Sequence, residues 1–312
     1  MIISVIIPAF NEESNIGKCL ESLNNIKLGN NTVETIIVDN GSKDNTVMEA
    51  KKHNAKVYIL PNVTIGALRN YGAKQARGDI LAFLDADCIV SDSWLIRALK
   101  DFDNIQVAAT GSPHRVANNA SWVAKAWGLN NQDMREASYV SYIPSGNLFV
   151  RKKCFEEISG FKESLMVSED TELCRSLREK GYEILSDPSI EAIHLGAPET
   201  LRKFYLKELW HGKETFKIFL HTGANKRVVL YALTFVALMM GLMLSIIFIR
   251  FEFAVSIAVA MLVIPLFIAI KTSFNRNNFK YLTQLWIIYL VYGIARAICI
   301  LNIRNWMPHK SN

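Results

Sequence analysis

Two long uncharged segments in the last third of the chain constrain its fold more than any other feature. Residues 228–249 form a run of 22 without a charged side chain, and residues 253–270 form another of 18. About 20 apolar residues in an α-helix cross the ~30 Å hydrocarbon core of a bilayer. A pair of buried core helices is the alternative, but two such segments joined by the short turn 250–252 favour a transmembrane hairpin.

The distribution of charge agrees with a membrane location. The chain has 35 Lys and Arg against 29 Asp and Glu, and six of the basic residues but no acidic ones lie between Lys271 and Asn312. The first 270 residues therefore hold 29 of each sign (35 − 6 = 29). Charge gathered beside apolar segments suits anionic lipid headgroups, so membrane lipids are expected partners and nucleic acid is not. Basic residues at the outer ends of the hairpin place those ends, and the preceding domain, on the cytosolic face of the cell (plasma or inner) membrane.

Two further segments bear on the membrane region. Residues 281–303 are apolar but contain Arg296, so this third segment could span, tilt or lie at the interface. Residues 201–220 combine basic side chains with an apolar helical face, which suits either the bilayer interface or a surface helix packed on its own domain. The predicted organisation has three parts: a cytosolic catalytic domain 1–198, a basic amphipathic juxtamembrane segment 199–227, and a multi-pass membrane region 228–312.

Strands and helices alternate through the first 110 residues. Residues 2–10 are continuously apolar, as expected of a strand buried on both faces. Asn11 is predicted to cap the helix that follows it. Further strands are predicted at 35–38, 57–60 and Ile80–Leu84. Repeated β-α units predict an α/β fold with a mostly parallel, right-handed, doubly wound sheet. Ligands of such sheets bind beyond the carboxyl ends of the strands, where Asn11, Asp39 and Asp85 fall.

Asp85 and Asp87 follow directly on the apolar strand Ile80–Leu84. Side chains two residues apart face the same way if the strand geometry continues, and two carboxylates so close repel each other. A bound cation removes that repulsion, and a small set of oxygen ligands suits Mg²⁺ or Mn²⁺. An exposed acidic turn is the alternative explanation.

Three other polar features have ordinary explanations when taken singly. Asp39-Asn40-Gly41-Ser42 reads as a common turn. Glu169 and Asp170 open a predicted helix, where the helix dipole favours acidic side chains. His194 follows a short apolar strand and could be a hydrogen-bonded core histidine.

Taken together in order, these motifs resemble those of the family 2 glycosyltransferases over about residues 2–220. The motifs are Pro8-Ala9-Phe10-Asn11-Glu12-Glu13, Asp39-Asn40-Gly41-Ser42, Gly66-x-x-Arg69-Asn70-x-Gly72, Asp85-x-Asp87, Ser145-Gly146-Asn147 and Glu169-Asp170. The resemblance implies a Rossmann-like nucleotide-diphospho-sugar transferase fold followed by membrane helices. It also implies inverting transfer of a hexose from a nucleoside-diphosphate sugar in polysaccharide or glycolipid synthesis.

The resemblance assigns a role to each matching residue. Pro8, Ala9, Asn11 and Glu12 would line the nucleotide pocket, Asp39 would hydrogen-bond the base, typically uracil, and Arg69 would lie near the phosphates. Asp85 would face the ribose and the metal, with Asp87 and His194 as metal ligands. Asp170 would be the general base with Glu169 beside it, and Gly146, Asn147 and Trp210 would lie on the acceptor side. A UDP-sugar is favoured, although the sequence does not separate UDP from GDP.

One motif departs from the polymer-forming members of the family. Those members carry Gln-x-x-Arg-Trp near the interfacial helices, whereas this chain has Glu208-Leu209-Trp210-His211-Gly212-Lys213. The departure weighs against a processive synthase and leaves the roles of Trp210 and Lys213 open. Apolar segments next to the catalytic domain lead us to expect a lipid-linked acceptor, such as a polyprenyl-phosphate, or a saccharide.

Two rival functions fit the sequence less well than a glycosyltransferase does. A nucleotidyltransferase would need a Gly-rich loop after the first strand, where no glycine occurs before Gly17. A membrane scaffold or transporter subunit without catalysis would have little use for Asp85, Asp87 and Asp170. The five cysteines lack metal or redox spacing, which predicts free thiols in a cytosolic domain. Met1 leads straight into an apolar strand, so no cleaved signal peptide is predicted.

Overall fold

The computed structural model describes residues 1–129, 136–212, 219 and 226–302. The chain divides into two compact units. The first unit is Met1–Asn118 with Asn131–Gly196, and the second is Asn119–Asn130 with Ala197–Asn312. The segment Asn119–Asn130, which the sequence analysis placed within the catalytic domain, thus belongs to the second unit.

Short strands and helices alternate along the first unit. Its strands are β1 (Ile2–Ala9), β2 (Thr32–Asp39), β3 (Lys56–Ile59), β4 (Ile80–Leu84), β5 (Cys88–Val90), β6 (Val107–Gly111), β7 (Arg115–Val116), β8 (Ser138–Tyr139), β9 (Asn147–Arg151), β10 (Glu183–Ser186) and β11 (Ala192–His194). Its helices are α1 (Ile16–Asn24), α2 (Thr46–Lys52), α3 (Ile65–Gln75), α4 (Trp94–Asp101), α6 (Lys152–Glu157) and α7 (Glu169–Glu179). The helix α5 (Trp122–Gly128) belongs to the second unit.

The described part of the first unit forms two sheets. The larger has the order β3-β2-β1-β4-β9-β6-β10-β8, and the smaller has the order β5-β11-β7. In the larger sheet β1 pairs in parallel with β2 and β4, and β2 with β3, whereas β9 runs antiparallel to β4 and β6. Chain order reverses on either side of β1, as in a doubly wound sheet. The predicted α/β fold with a mostly parallel central sheet is confirmed.

Both faces of β1 are buried. Ile3, Val5 and Ile7 lie in one core cluster, while Ile6 lies in a second cluster on the opposite face. Because successive side chains of a strand alternate between faces, a strand covered on both sides reads as a continuous apolar run. Each fully buried isoleucine contributes about 1.5–3 kcal/mol to stability. This is why the pattern at residues 2–10 predicts the strand correctly.

Gly72 lets α3 lie close against β1. A Cβ at this position would come within 2.5 Å of Cγ2 of Ile6 and 3.3 Å of Cγ2 of Val38. Any larger residue would push the helix off the sheet. The close approach fixes the position of Arg69, one turn earlier on the same helix.

The prediction that Asn11 caps the first helix is wrong. The helix α1 begins at Ile16, and Asn11 has a positive φ of 55°. The Asn11 Oδ1 atom accepts a hydrogen bond from the backbone N–H of Lys43 at 3.0 Å. The side chain is therefore used to join two loops and is not available to the helix.

The described residues of the second unit form helices joined by short loops, with no strand among them. Its longer helices are α8 (Leu201–Gly212), α9 (Lys226–Ile247), α10 (Phe251–Asn275) and α11 (Leu282–Leu301), with a 3₁₀ turn at Phe279–Tyr281 before α11. By length and composition α9, α10 and the segment Phe279–Leu301 could each cross a membrane. The predicted C-terminal apolar helices are thus present. Residue 303 of the third predicted segment lies outside the described residues.

A buried ion pair joins α8 to α11. Nη2 of Arg296 lies 2.6 Å from Oε2 of Glu208, and the guanidinium lies 4.9 Å from the ring centre of Tyr292. Phe204 and Glu208 are buried on one face of α8. Since an arginine in an apolar helix needs a partner, the carboxylate explains why Arg296 is tolerated there. Sequence periodicity predicts an apolar buried face for this helix and does not anticipate Glu208 on it. The helix is predicted to continue to residue 220, and of residues 213–220 only Phe219 lies among the described residues.

Candidate active site

The carboxyl ends of three strands meet at one edge of the large sheet. Ala9 at the end of β1 is paired with Asp39 at the end of β2, and β4 ends on the other side of β1 at Leu84, followed by Asp85. The antiparallel strand β9 begins at this edge, because Asn147 pairs with Leu84. The predicted site residues of the first unit gather around this edge.

Hydrogen bonds join the loop after β1 to the loop after β2. The N–H of Asn11 donates to Oγ of Ser42 at 2.8 Å, and the N–H of Glu12 donates to Oγ1 of Thr46 at 2.7 Å. Pro8 and Ala9 are buried directly below these loops. The four residues predicted to line the nucleotide pocket thus lie on one continuous piece of backbone.

Asp39 organises its own loop. Its Oδ1 atom accepts hydrogen bonds from the N–H groups of Gly41 at 2.9 Å and Ser42 at 2.8 Å, and its Oδ2 atom accepts one from the Ser42 hydroxyl. The residue is 1% exposed. Asn40 ties the same loop to the next one through both its amide oxygen and its amide nitrogen, which contact the backbone of Val63.

Arg69 holds two acidic side chains at once. Its Nη1 lies 2.6 Å from Oε1 of Glu169, and its Nη2 lies 2.8 Å from Oδ1 of Asp85. The side chain is 2% exposed; its two Nη atoms are engaged by these carboxylates, and its Nε has no hydrogen-bond partner among the described residues. A planar guanidinium suits such a fork because its donors have a fixed geometry.

Asp85 and Asp87 have different partners. Asp85 is bound by Arg69, whereas Oδ2 of Asp87 lies 3.2 Å from Nε2 of His194. Burial alone would raise the pKa of Asp85, but Arg69, then His114 and His194, hold that pKa below its usual value. Asp85 is therefore an ionised carboxylate with one oxygen already engaged.

The donor set at this edge fits a divalent cation with few protein ligands. Burial raises the pKa of Glu12, Asn15 opposes the rise, and the carboxylates of Asp87 and Asp85 add to it. The repulsion among these three acids is what a cation would relieve. Within the described ranges no three His, Cys, Asp or Glu side chains converge as a complete cage. A Mg²⁺-type ion accepts this, since it is commonly held by one or two carboxylates with water and substrate phosphates filling the remaining positions.

Gly196 makes room for the carboxylate of Asp87. A Cβ built at residue 196 would lie 2.0 Å from Oδ2 of Asp87 and 3.1 Å from Cε1 of His194. We expect Gly196→Ala to separate Asp87 from His194 and to weaken Mn²⁺ binding by at least tenfold, measured by calorimetry on the full chain. Gly17→Ala, on α1, is the control for the effect of a glycine substitution, because its added carbon would meet only the flexible Glu49 side chain, at 3.1 Å. Unchanged Mn²⁺ affinity in Gly196→Ala would show that the pair does not bind the ion.

Gly146 and Asn147 pack beside the site and hold neighbouring segments in place. A Cβ at Gly146 would lie 2.2 Å from Oδ2 of Asp85, so only glycine fits beside that carboxylate. Asn147 is fully buried; its Oδ1 accepts from Nε1 of Trp94 at 2.8 Å, and its Nδ2 donates to Ser112 and to the carbonyl of Ile190. The amide of Asn147 is thus committed to holding the neighbouring loops together.

Glu169 and Asp170 open α7 but differ in environment. Glu169 is buried and paired with Arg69. Burial, followed by the neighbouring Glu169 carboxylate, raises the pKa of Asp170 to about 6, while Arg69 and the backbone N–H groups of Thr171 and Ser145 oppose the rise. The carboxylate of Asp170 can therefore accept a proton near neutral pH.

His114 is a site residue that the sequence analysis missed. It lies in the short loop between β6 and β7, with its ring centre 5.4 Å from that of His194. No motif marks it, because the contact depends on the pairing of β7 with β11. The sequence signal available was only its position three residues after the end of a strand.

Trp210 belongs to the second unit. It lies on α8, is 45% exposed, and packs edge-on against His211 with ring centres 4.9 Å apart. Lys213 lies outside the described residues.

The chain is similar in sequence and in fold to known glycosyltransferases. The sequence model described as Glycosyl transferase family 2 matches residues 4–158. Glycosyltransferase AglE of Haloferax volcanii is 29% identical over 212 residues, covering 64% of this chain and 70% of that protein. Poly-beta-1,6-N-acetyl-D-glucosamine synthase of Staphylococcus aureus (strain COL) is 28% identical over 252 residues, covering 75% of this chain and 60% of that protein. The chain therefore spans less than two thirds of the synthase.

A solved structure shares the fold. Mannosyltransferase PcManGT from Pyrobaculum calidifontis, in complex with GDP-Man and Mn²⁺, superposes with a TM-score of 0.60 at 15% identity, covering 96% of this chain and 87% of that chain. The family model matches residues 4–158, and the sheet order agrees with the shared fold. This chain therefore carries a family 2 glycosyltransferase domain with the A-type glycosyltransferase fold.

Proposed function

We propose that the chain is a membrane-anchored, inverting hexosyltransferase that uses a nucleoside-diphosphate sugar and a divalent cation. The observation that carries this proposal is the grouping at one sheet edge of a carboxylate–imidazole pair, Asp87 with His194, and a carboxylate of raised pKa, Asp170. The family match and the names of its glycosyltransferase relatives support the same reaction class.

The donor nucleotide would bind on the loops after β1 and β2. The nucleotide pocket would be lined by Pro8, Ala9, Asn11 and Glu12. Asp39 would face the base with a lone pair that its own loop leaves available, since a carboxylate can accept about four hydrogen bonds. We favour a UDP-sugar, with GDP as the alternative.

Asp87 and His194 would hold Mg²⁺ or Mn²⁺, with Asp85 turned toward the ribose and the ion. The carboxylate oxygens of Asp87 and Asp85 suit either ion. When bound, the cation would screen the diphosphate and stabilise the departing nucleotide. Arg69 would support this arrangement, because its buried side chain fixes Asp85 and Glu169 through ion pairs.

Asp170 would be the general base. Inversion needs one in-line attack by the acceptor hydroxyl, so one base opposite the leaving group is enough. A pKa of about 6 leaves Asp170 ionised at pH 7 yet basic enough to take the proton. Glu169, neutralised by Arg69, would position its neighbour without taking part in proton transfer.

The pH dependence follows from this assignment. With saturating donor, we expect the transfer rate to be level above about pH 7 and to fall roughly tenfold per pH unit below about pH 6, because protonated Asp170 cannot accept a proton. The rate should be measured from pH 4.5 to 8.5, with donor binding followed at each pH. A rate that stays level down to pH 4.5, with the donor still bound, would contradict Asp170 as the base.

The acceptor would be lipid-linked or a saccharide, in polysaccharide or glycolipid synthesis. Three helices suited to a bilayer bring the chain to a membrane surface. Basic residues outside the hairpin favour a cytosolic catalytic domain within 1–198, apart from the segment Asn119–Asn130 of the second unit, followed by the juxtamembrane segment 199–227 and the multi-pass region 228–312. A relative named for polymer synthesis raises the question of processivity, but the Glu208-Leu209-Trp210 sequence, with Glu208 bound to Arg296, favours single transfers.

The rival functions have separate signatures. A nucleotidyltransferase would release diphosphate from a nucleoside triphosphate. A membrane component without catalysis would bind the donor and leave it intact. Analysis of the released nucleotide after incubation with a sugar donor distinguishes all three.

The deciding experiment is donor binding by the full chain purified in detergent. UDP and GDP are titrated with and without Mn²⁺, with UTP as a comparison. Metal-dependent binding of one diphosphate would support the proposal and select the sugar donors for acceptor assays. A folded sample that binds neither diphosphate would overturn it.

A further inference from the structure

His114 and His194 approach each other because of how the small sheet is paired. His114 lies just before β7, and in β7 Val116 is the register partner of His194 on β11. The two imidazole rings are tilted by 52° with centres 5.4 Å apart. The sheet therefore places a second imidazole beside the Asp87–His194 pair.

His114 also faces Asp85. A Cβ built at Gly146 would lie 2.5 Å from Cε1 of His114 and 2.2 Å from Oδ2 of Asp85. The ring edge and the carboxylate oxygen thus both pack against Gly146, which is possible because residue 146 has no side chain.

The Nε2 atom of His114 is buried but has no hydrogen-bond partner among the described residues. Buried polar side-chain atoms are normally hydrogen-bonded, and an exception calls for an explanation. A ligand that enters the site and supplies an acceptor is one such explanation.

An anionic ligand explains this atom better than a third metal contact. The described residues contain no cluster of three metal-ligating side chains, so His114 does not complete a cage with Asp87 and His194. A diphosphate needs hydrogen-bond donors, and both Nη atoms of Arg69 already donate to Glu169 and Asp85, although its buried Nε has no partner among the described residues. The imidazole N–H of His114, beside the Asp87–His194 pair, is a donor that a phosphate oxygen can accept from.

We propose that His114 binds the diphosphate of the donor nucleotide, with Nε2–H donating a hydrogen bond to a phosphate oxygen. This inference rests on the proposed function, because it assumes a nucleoside-diphosphate donor at this edge. His114 then helps to bind the donor and to hold the diphosphate as the sugar leaves.

The test compares three variants with the wild-type full chain. His114→Ala removes the ring, His114→Phe keeps its bulk without a donor, and His114→Asn restores a side-chain N–H. His53→Ala, at the end of α2, is the control. UDP and GDP are titrated in the presence of Mn²⁺, Mn²⁺ is titrated alone, and thermal unfolding is recorded for each protein.

We expect the Ala and Phe variants to bind the nucleotide about 10- to 100-fold more weakly, the range for a lost hydrogen bond to a charged group. His114→Asn should recover part of the affinity, and Mn²⁺ binding without nucleotide should be unchanged. Should the Ala variant not fold, the Phe and Asn variants still separate loss of the donor from loss of the ring.

Equal nucleotide affinity in wild type and His114→Phe would overturn the inference while leaving the proposed function intact. Weaker Mn²⁺ binding in the absence of nucleotide would also overturn it, because it would make His114 a metal ligand. A wild-type chain that binds no nucleotide would instead refute the proposed function, and with it this inference.

Discussion

Replacing Asp170 by asparagine is expected to lower the rate of sugar transfer by roughly 10²- to 10⁴-fold, the range for loss of a general base. Asparagine keeps the shape of the side chain and an oxygen that can accept from the N–H of Thr171, which now donates to Oδ1 of Asp170 at 2.7 Å. Donor affinity should therefore stay near the wild-type value. Single-turnover transfer and nucleotide titration, measured on the same preparation, separate the two effects.

The unfolding temperature of Asp170→Asn provides a second test of the assignment. Because burial and Glu169 disfavour the ionised form of Asp170, removing that charge should leave the unfolding temperature equal or slightly higher. Asp103→Asn, an exposed aspartate in the same unit, is the matched control and should change neither rate nor stability. Transfer at the wild-type rate by Asp170→Asn would show that the base is another group.

Replacing Arg69 by methionine is expected to have the largest effect on stability. The change leaves Glu169 and Asp85 without the guanidinium that now joins them, at 2.6 and 2.8 Å. Breaking a buried ion pair by removal of one partner typically costs about 3–5 kcal/mol. Methionine has a similar length, so the loss reflects charge more than volume. Chemical denaturation of the full chain measures the change, provided that the transition of the first unit is resolved.

The control and the rescue make this result specific. Arg97→Met removes an exposed arginine from α4 and should change stability by less than about 0.5 kcal/mol. Adding Glu169→Gln to Arg69→Met removes one stranded charge and should recover part of the loss, because residues in contact are not additive. A loss below about 1 kcal/mol in Arg69→Met, with donor binding preserved, would contradict a central role for this guanidinium.

Local patterns in the sequence were enough for β1 to β4, the parallel part of the large sheet, and for its open edge. The run at residues 2–10 reads as a buried strand because both faces of β1 are covered, and Asp39 and Asp85 follow strands in the sequence as they do in space. In parallel β-α units the carboxyl ends share one edge, so residues distant in sequence can be brought together by rule. The resemblance to the family added roles that spacing alone did not provide.

What could not be predicted depends on contacts between distant segments. Asn11 was expected to serve its own helix, but a loop 32 residues away provides its partner. Glu208 breaks an apolar pattern because Arg296, 88 residues later, is there to neutralise it. His114 meets His194 only through a short strand pairing in the second sheet. None of these partners lies within the window that periodicity examines.

The helix α5 has a consequence for how this protein can be divided. Val123, Ala126 and Leu129 belong to the same buried cluster as Phe204, Leu285 and Ile288, although they are inserted in the sequence of the first unit. A chain ending at residue 198 would keep these three apolar side chains and lose everything that covers them, which makes it prone to aggregate. Chimeras that exchange the C-terminal helices between relatives would for the same reason have to transplant two stretches of sequence together, because the second unit is discontinuous along the chain.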